Sequence, residues 1–573
     1  MIQHGIEDIQ KQYFSDASLS HVLAISGMHA NYVIIGIGFV LKKFDNRKSK
    51  YIFIAFLIFF SQFTGTSSSI LRAVIMSCLL IISKLVYRKS DTLNNIAISC
   101  IIILILNPYN IFNLGFQLSY LGTLGIVIFY KSMEDMLNSI NIFKTDKKLL
   151  KKLDKTLLKI YAKIKSIIAV SVSANTLIFP VLIYSFNNIS FIFLISNILV
   201  TPILGIMMFL GYLTCIISLF SINLAEIIAA LFNFSLIIFE KIAIFSAGIS
   251  ISRFTVVTPS LYVIILIYVC IFYLKFFYKR NHIRILRKIF IILIIIIIVF
   301  KSFQLYNLNF KMYFIDVGQG DSTLIVTTTS KTILIDGGGS ETGNYNVGES
   351  VLVPYLLDRK IKNIDYIIIS HFDSDHIQGL FAVMEKLKVK NVVISKQGEV
   401  SENYKYFKKI VKRKNINVII VKSGDKLLID KYTYFDILWP TNELVNENIL
   451  NNNSIVCKLN HKNTKILFTG DIEEIAEKKI IELYNNELKA DILKVAHHGS
   501  KSSSIQDFIY KVNPKIVLIG VGENNKFGHP NMEVLNRYEA MNVDIFRTDK
   551  MGEIFVWINR KKEICVKTML NEK

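Results

Sequence analysis

Paired cysteines are missing from this chain. Its six, Cys78, Cys100, Cys215, Cys270, Cys457 and Cys565, are scattered, four of them in apolar runs, and no Cys-x-x-Cys occurs. That argues against a disulfide framework and against a thiolate metal site. The first twenty residues are polar and mixed in charge and show no cleavable leader pattern, so the first apolar span is expected to direct insertion. No Gly-x-x-x-x-Gly-Lys-Ser/Thr loop is present, which leaves any ATP-driven step to a partner. Acids are in the minority, 44 against 66 Lys plus Arg, giving a formal net charge of +22. Such an excess suits basic loops against anionic lipid first. An anionic substrate such as nucleic acid comes second.

Apolar residues are abundant and uneven. They make up 52% of the 573 residues, and the mean hydropathy is +0.44. Long apolar runs fill the stretch from about Leu23 to Phe300, and from about Asn309 the chain reads as an ordinary soluble mix. A chain of this length exceeds one ordinary domain, and the expected division is 1–305 and 306–573. Crossing about 30 Å of hydrocarbon takes roughly 20 apolar residues. Candidate spans lie near 22–41, 51–63, 69–87, 93–107, 112–130, 167–186, 191–218, 222–247, 257–275 and 288–304, about ten in all.

Basic clusters at 42–50, 87–91, 144–165 and 275–288 then fall on one side, which the positive-inside rule makes cytoplasmic. The C-terminal part is thereby expected outside the cell. That side inverts if 191–218 crosses twice or a short span does not cross. Segment 144–165 carries nine lysines and an apolar stripe at helical spacing, expected as an interfacial helix on lipid. A cytoplasmic partner or nucleic acid is the alternative. His29, Arg72 and Gln117 sit in apolar surroundings, where polar groups face a bundle interior or a water path. They are candidate channel residues. Interhelical hydrogen bonding is the plainer reading.

The strings Leu23-Ala-Ile-Ser-Gly-Met-His29, Thr64-Gly65 with Leu71-Arg72-Ala73, and Asn107-Pro108 with Gly115-Phe-Gln-Leu-Ser119 occur in order. Over roughly 22–275 they resemble the competence-domain signature of the ComEC family of DNA-internalisation proteins. The resemblance implies a multi-pass protein of the bacterial plasma membrane that passes single-stranded DNA during transformation. It also implies a separate DNA receptor and a cytoplasmic ATPase motor, and leaves a homo-oligomer open. ComEC-like proteins commonly begin with extra helices and an OB-type domain. Here the motif begins about twenty residues after Met1, so a split or truncated form is one expectation.

From Lys311 the period changes to two. Strand, glycine turn and strand alternate through Asp316-Val-Gly-Gln-Gly-Asp321 and on to Asp336-Gly-Gly-Gly339, which is hairpin patterning. Later strands alternate with helices, suggesting an αββα sandwich. The chemistry gathers at strand ends. His371-Phe-Asp373-Ser-Asp375-His376 follows the buried-type strand Ile364–Ile369. Two imidazoles and two carboxylates so close together are costly unless a cation binds them. Asp471 ends another strand, as does the pair His497-His498.

This set resembles the metallo-β-lactamase superfamily over about 311–560. The resemblance implies one or two divalent ions held by His371, Asp373, Asp375, His376, Asp471 and His497, with His498 a ligand in place of His497 or a support. Asp375 would also orient the attacking water. Asp336 would orient a ligand imidazole, and Asp316 and Asp321 are further supports or turn residues. The family's second His is Asp373 here, and Asn453-Ser454 stands at the middle position. Carboxylate in place of imidazole shifts the preference from zinc towards manganese or magnesium. Such an ion lowers the pKa of a bound water and neutralises a phosphoryl oxygen. Ser500, Lys501 and Ser502 offer phosphate donors, and His529 either binds phosphate or protonates a leaving oxygen.

The leading reading is a polytopic helical membrane channel for single-stranded DNA, joined to a soluble metallo-β-lactamase-like nuclease. One rival is a membrane-anchored lactonase or β-lactamase. Another is a channel whose hydrolase-like part only binds DNA.

Overall fold

The structure, a computed structural model, describes residues 8–23, 27–42, 46–65, 67–139, 155–249, 254–277, 309–339, 345–396, 401–559 and 562–570. Residues 24–26 of the first motif, segment 144–154, the expected span 288–304 and the boundary at 305/306 lie outside the described residues. The chain divides into two compact units, Met1–His282 and Ile283–Lys573.

In the first unit the other nine apolar stretches fall on helices. Leu57, Ile70, Phe116 and Leu204 are buried between helices, but small polar side chains are buried with them and large apolar ones also face outward. Ser61, Ser99, Ser173, Ser196, Ser235 and Ser246 are buried, while Phe63, Ile105, Phe209, Leu219 and Phe234 are exposed. Small polar residues at helix contacts and large apolar ones outside are what a lipid solvent favours. Ser68–Leu85, Lys159–Phe186, Phe193–Ser218 and Ile222–Ala247 are long and apolar enough to cross a membrane, whereas Thr92–Leu106 and Leu261–Phe276 are apolar but shorter. Four helices meet that requirement among the described residues.

Stretch 191–218 forms one 26-residue helix with Pro202 inside it, not two. The lysine-rich stretch is not a separate interfacial helix from Lys155 onward: one helix runs Lys155–Phe186. No Gly or Pro interrupts 155–179, and the spacing of Ile160 and Ile164 continues into Ile167 and Ile168.

The second unit is two sheets with helices outside. Strands β1 (Lys311–Phe314), β2 (Thr323–Val326), β3 (Thr332–Ile335), β4 (Asn363–Ile368), β5 (Lys388–Ile394) and β6 (Asn417–Ile420) belong to the first. β7 (Lys426–Asp430), β8 (Thr433–Trp439), β9 (Val456–His461), β10 (Thr464–Phe468), β11 (Ile492–Lys494), β12 (Ile516–Ile519) and β13 (Asp544–Arg547) form the second. β14 (Ile554–Ile558) and β15 (Ile564–Thr568) return to the first. The orders are β15-β14-β1-β2-β3-β4-β5-β6 and β13-β12-β11-β10-β9-β8-β7. Each sheet is antiparallel on one side and parallel on the other, with β3 to β6 and β10 to β13 parallel.

Met312, Phe314, Ile333, Ile368, Phe435, Cys457, Leu459, Ile466 and Leu518 meet in the core between the sheets. Ile472, Ala476, Ile480, Phe508, Ile509, Val534 and Leu535 pack on the outer face of the second sheet. Alternation along each strand sends one face inward to the partner sheet and the other outward to helices. Consequently the loops after parallel strands β3, β4, β10 and β11 emerge together, and they carry Asp336, the His371–His376 cluster, Asp471 and the His497-His498 pair.

Glycine lets these loops close on one another. The Asp336–Gly339 loop lies directly on helix Ser374–Lys386: Gly337 N donates to His376 O at 2.7 Å and Gly379 N to Gly338 O at 2.9 Å. A Cβ on Gly379 would come within 1.9 Å of Gly337 O. A Gly379→Ala exchange should therefore push the loop off the helix and cost on the order of 1–3 kcal/mol. The thermal transition of the purified full chain reads this; an unchanged transition would mean that the contact does not position the loop.

Candidate metal centre

Helix Ser374–Lys386 begins directly after β4, so His371, Asp373, Asp375 and His376 bracket a strand-to-helix turn. His376 is fully buried. Its Nδ1–H donates to Asp336 Oδ2 at 3.0 Å, which turns Nε2 toward Asp471 Oδ2, 3.1 Å away. Asp336 holds φ +54° and also accepts from Ser370 N at 2.8 Å. It thus stands behind the imidazole, in position to orient it.

The second imidazole comes from the turn after β11. His497, His498 and Gly499 all have positive φ, +48°, +52° and +79°, a run that ordinary side chains rarely adopt. The turn points the two histidines apart. His498 goes inward: Nδ1–H donates to Gly520 O at 2.7 Å, and Nε2 lies 3.2 Å from Asp471 Oδ2 and 3.4 Å from Asp375 Oδ2. His497 stays half-buried, with Nδ1 3.5 Å from Glu473 Oε1 and its ring 5.8 Å from that of His529. The inward histidine is therefore His498, not His497.

His371 is buried beside His376, ring centroids 4.2 Å apart, with Nε2 3.5 Å from Asp373 Oδ2. The donors run Asp373, His371, His376, Asp471, His498, Asp375 without a gap. Among the described residues, Asp321, His376, Asp471 and His498 bring one ligand atom each within 4.8 Å of one another. The centre opens into a cleft of about 370 Å³ lined by Asp373, Asp375, Asn451, His497, Phe527 and His529, among others.

Residues 3–281 match the Competence protein family, and residues 315–522 match the Metallo-beta-lactamase superfamily. This chain carries a Competence family domain followed by a metallo-β-lactamase superfamily domain. It is 27% identical over 564 residues to "ComE operon protein 3" of Bacillus subtilis, covering 96% of this chain and 69% of that protein. It is 29% identical over 281 residues to "Recombination protein 2" of Haemophilus influenzae, covering 48% of this chain and 32% of that protein. Similar solved structures include Zn(2+)-bound PqqB from Methylobacterium extorquens (TM-score 0.27, 8% identity, 40% of this chain and 85% of that one). Another is a long-form RNase Z from yeast (TM-score 0.27, 14% identity, 42% and 41%). These scores are too low to carry an argument about function.

The residues of the metallo-β-lactamase domain fit a divalent ion. Nε2 of His371, His376 and His498 are buried without a hydrogen-bond partner. In His376 and His498 the Nδ1–H is already committed, so the Nε2 lone pairs face one another around Asp471. Aiming lone pairs and carboxylate at one buried point is costly without a cation. Burial alone would lower His376 and His498, but Asp471 beside them raises both well above the usual imidazole range, so protons and a divalent ion compete for the same Nε2 atoms. Burial would likewise raise Asp471, and the two imidazoles hold it well below the carboxylate range.

Other expected site residues fall elsewhere. Ser500, Lys501 and Ser502 are not brought to the cleft: Lys501 pairs with Glu533 at 2.8 Å, and Ser502 Oγ donates to Glu473 at 2.9 Å. Asp316 is exposed and accepts from Gly318 N at 3.1 Å as a turn residue. Asn453 clamps its own loop through Val445 and Ile449, and Ser454 Oγ accepts from Asp471 N at 3.2 Å. The middle position thus braces Asp471 without supplying a ligand. His529 lines the cleft, but burial and the neighbouring His497 and His498 lower it to about 4. A neutral imidazole suits donating one hydrogen bond better than protonating a leaving oxygen.

Among the channel candidates, Arg72 Nη1 meets Ser119 O and Thr123 Oγ1 on helix Leu114–Ser139. Gln117 Nε2 donates to Ile111 O at 2.8 Å, and His29 is half-buried on helix Gly27–Lys42. Two residues were not singled out by sequence reasoning, Lys494 and Asn451. The signal for Lys494 was a charge in a strand, Ile492–Lys494, flanked by apolar residues.

Behind the histidine turn, Glu477 is fully buried and accepts from Ser504 N at 2.7 Å and Ile505 N at 2.8 Å. Burial raises its carboxyl from 4.5 to about 7, against those two bonds. The folded state therefore holds this proton more tightly than the unfolded chain. The associated stability is fully present below about pH 4.5 and is lost as pH rises through about 7. Glu477→Gln should flatten the pH dependence of the thermal transition across that window; an unaltered profile would assign the dependence to other groups.

Proposed function

We propose that this chain serves DNA uptake across a bacterial plasma membrane. Its C-terminal domain hydrolyses phosphodiester bonds of DNA, and its helical domain passes a single strand inward. The buried donor set opening into a polar cleft carries this reading. In it the membrane domain extends to about residue 305, the chain crosses the membrane several times, and the hydrolase lies outside. A separate receptor and an ATPase motor complete the pathway.

The divalent ion, when bound, supplies Lewis-acid stabilisation of a phosphoryl oxygen and an activated water. His371, His376, His498 and Asp471 would hold it, with Asp373 and Asp375 completing the donors at the cleft side. Asp375 orients the attacking water and accepts its proton. His529 and Asn451 offer N–H donors to the phosphate. Water then adds at phosphorus, one P–O ester bond breaks, and the leaving oxygen takes a proton from solvent. In the membrane domain, the neutral oxygens around Arg72 leave its charge available to an anionic backbone.

The test is nuclease activity of the full chain in detergent on labelled single- and double-stranded DNA, with EDTA, Zn²⁺, Mg²⁺ and Mn²⁺ in parallel. Metal-dependent cutting should fall at least 100-fold in Asp471→Ala. Nitrocefin and a lactone run beside it. Turnover of either without DNA cutting, or no cutting by metal-loaded protein, would contradict the phosphodiesterase reading.

A further inference from the structure

Lys494 is the one lysine turned into the metal centre among the described residues, at 3% exposure. It ends β11, four residues before His498, so its side chain lies at the back of the centre and away from the cleft. An ammonium has three N–H donors, and here three oxygens surround it. Nζ donates to Gly470 O at 2.8 Å, lies 3.2 Å from Asp471 Oδ1, and pairs closely with Asp321 Oδ2. Asp321 is itself buried and is wedged by backbone: a Cβ on Gly520 would come within 2.2 Å of Asp321 Oδ1. Its other near neighbour is His498 Nδ1 at 3.6 Å.

These contacts divide the two oxygens of Asp471. Oδ1 faces Lys494, and Oδ2 faces the two imidazoles at 3.1 and 3.2 Å. Without the ammonium, Asp471 could rotate and present either oxygen, or both, to the centre. Asp321 could then turn its freed carboxylate toward His498. The Asp321–Lys494 pair also gives a role to the last residue of the Asp-Val-Gly-Gln-Gly-Asp string.

Resting on the reading of this centre as a metal site, we propose that Lys494, anchored by Asp321, is a positioning residue that locks Asp471 so that Oδ2 alone serves as the ligand oxygen. Removing Lys494 by itself would confound two effects, because a lost positive charge also attracts a cation. The exchange that separates them is the charge-conserving double variant Lys494→Met with Asp321→Asn. If Lys494 only balanced charge, this pair would bind metal like the wild type. If it positions Asp471, binding must weaken.

The measurement is Mn²⁺ titration of the full chain in detergent, with free Mn²⁺ read by electron paramagnetic resonance and folding by circular dichroism. The double variant is expected to bind Mn²⁺ at least tenfold more weakly, with a changed spectrum of the bound ion. Lys494→Arg keeps the charge but moves the donors. It should weaken binding about threefold with the fold intact, and it decides the matter if the double variant does not fold. Wild-type affinity and spectrum in either folded variant would overturn the positioning role while leaving the metal site standing. No Mn²⁺ bound by the wild type would overturn the metal reading, and this inference with it.

Discussion

Asp471 occupies a place that water would normally forbid. It is buried between two imidazoles, with its second oxygen against a lysine, and Asp321, Asp336 and Asp375 crowd the same few ångströms. Concentrated charge of this kind in a low-dielectric interior is tolerated only if each group meets an opposite charge, a hydrogen bond or a cation. The hydrolase fold can be followed outward from that demand. Parallel strands deliver the loops to one rim. Glycines let the Asp336 loop touch the helix that carries His376. A run of left-handed residues sends His498 inward and His497 outward. Asn453 and Ser454 hold the chain on which Asp471 rests.

The membrane domain solves the opposite problem. Its solvent is apolar, so many large side chains face outward, and serines and glycines join Leu57, Ile70, Phe116 and Leu204 at the buried helix contacts. Gly27 lies where a side chain would meet Arg72, and Ser69 bonds to Ser119 at 2.8 Å. A charged residue there is expensive. Its turn onto helix Leu114–Ser139, instead of outward toward an interface, explains why the competence strings combine small residues with one arginine.

Much of this was legible from residue order. Period-two runs closing on glycine turns mark β1 to β3, and a charged cluster after an apolar run marks the β4 turn. Other elements were hidden for physical reasons. β9 contains Lys458, Asn460 and His461, all buried, so its polar composition conceals a strand enclosed on both sides. β7, β13, β14 and β15 are defined by cross-strand pairing that local pattern does not encode. Which of two adjacent histidines turns inward depends on backbone angles that favour no residue type strongly enough to read. Lys501 looked like a phosphate donor because nothing local to it reveals Glu533, thirty-two residues later. Apolar runs predict helices well, but a helix end is set by capping and packing as much as by composition.

The central claim is that a divalent ion sits on the imidazoles of His376 and His498 with Asp471. Diffraction from crystals of the full chain grown with Mn²⁺, recorded at the manganese absorption edge, tests it most directly. The account predicts an anomalous peak at about 2.1–2.3 Å from Nε2 of both histidines and from Asp471 Oδ2, distances typical of divalent-metal ligation. A peak confined to the exposed carboxylates of the cleft, or none at this centre in metal-saturated protein, would contradict it.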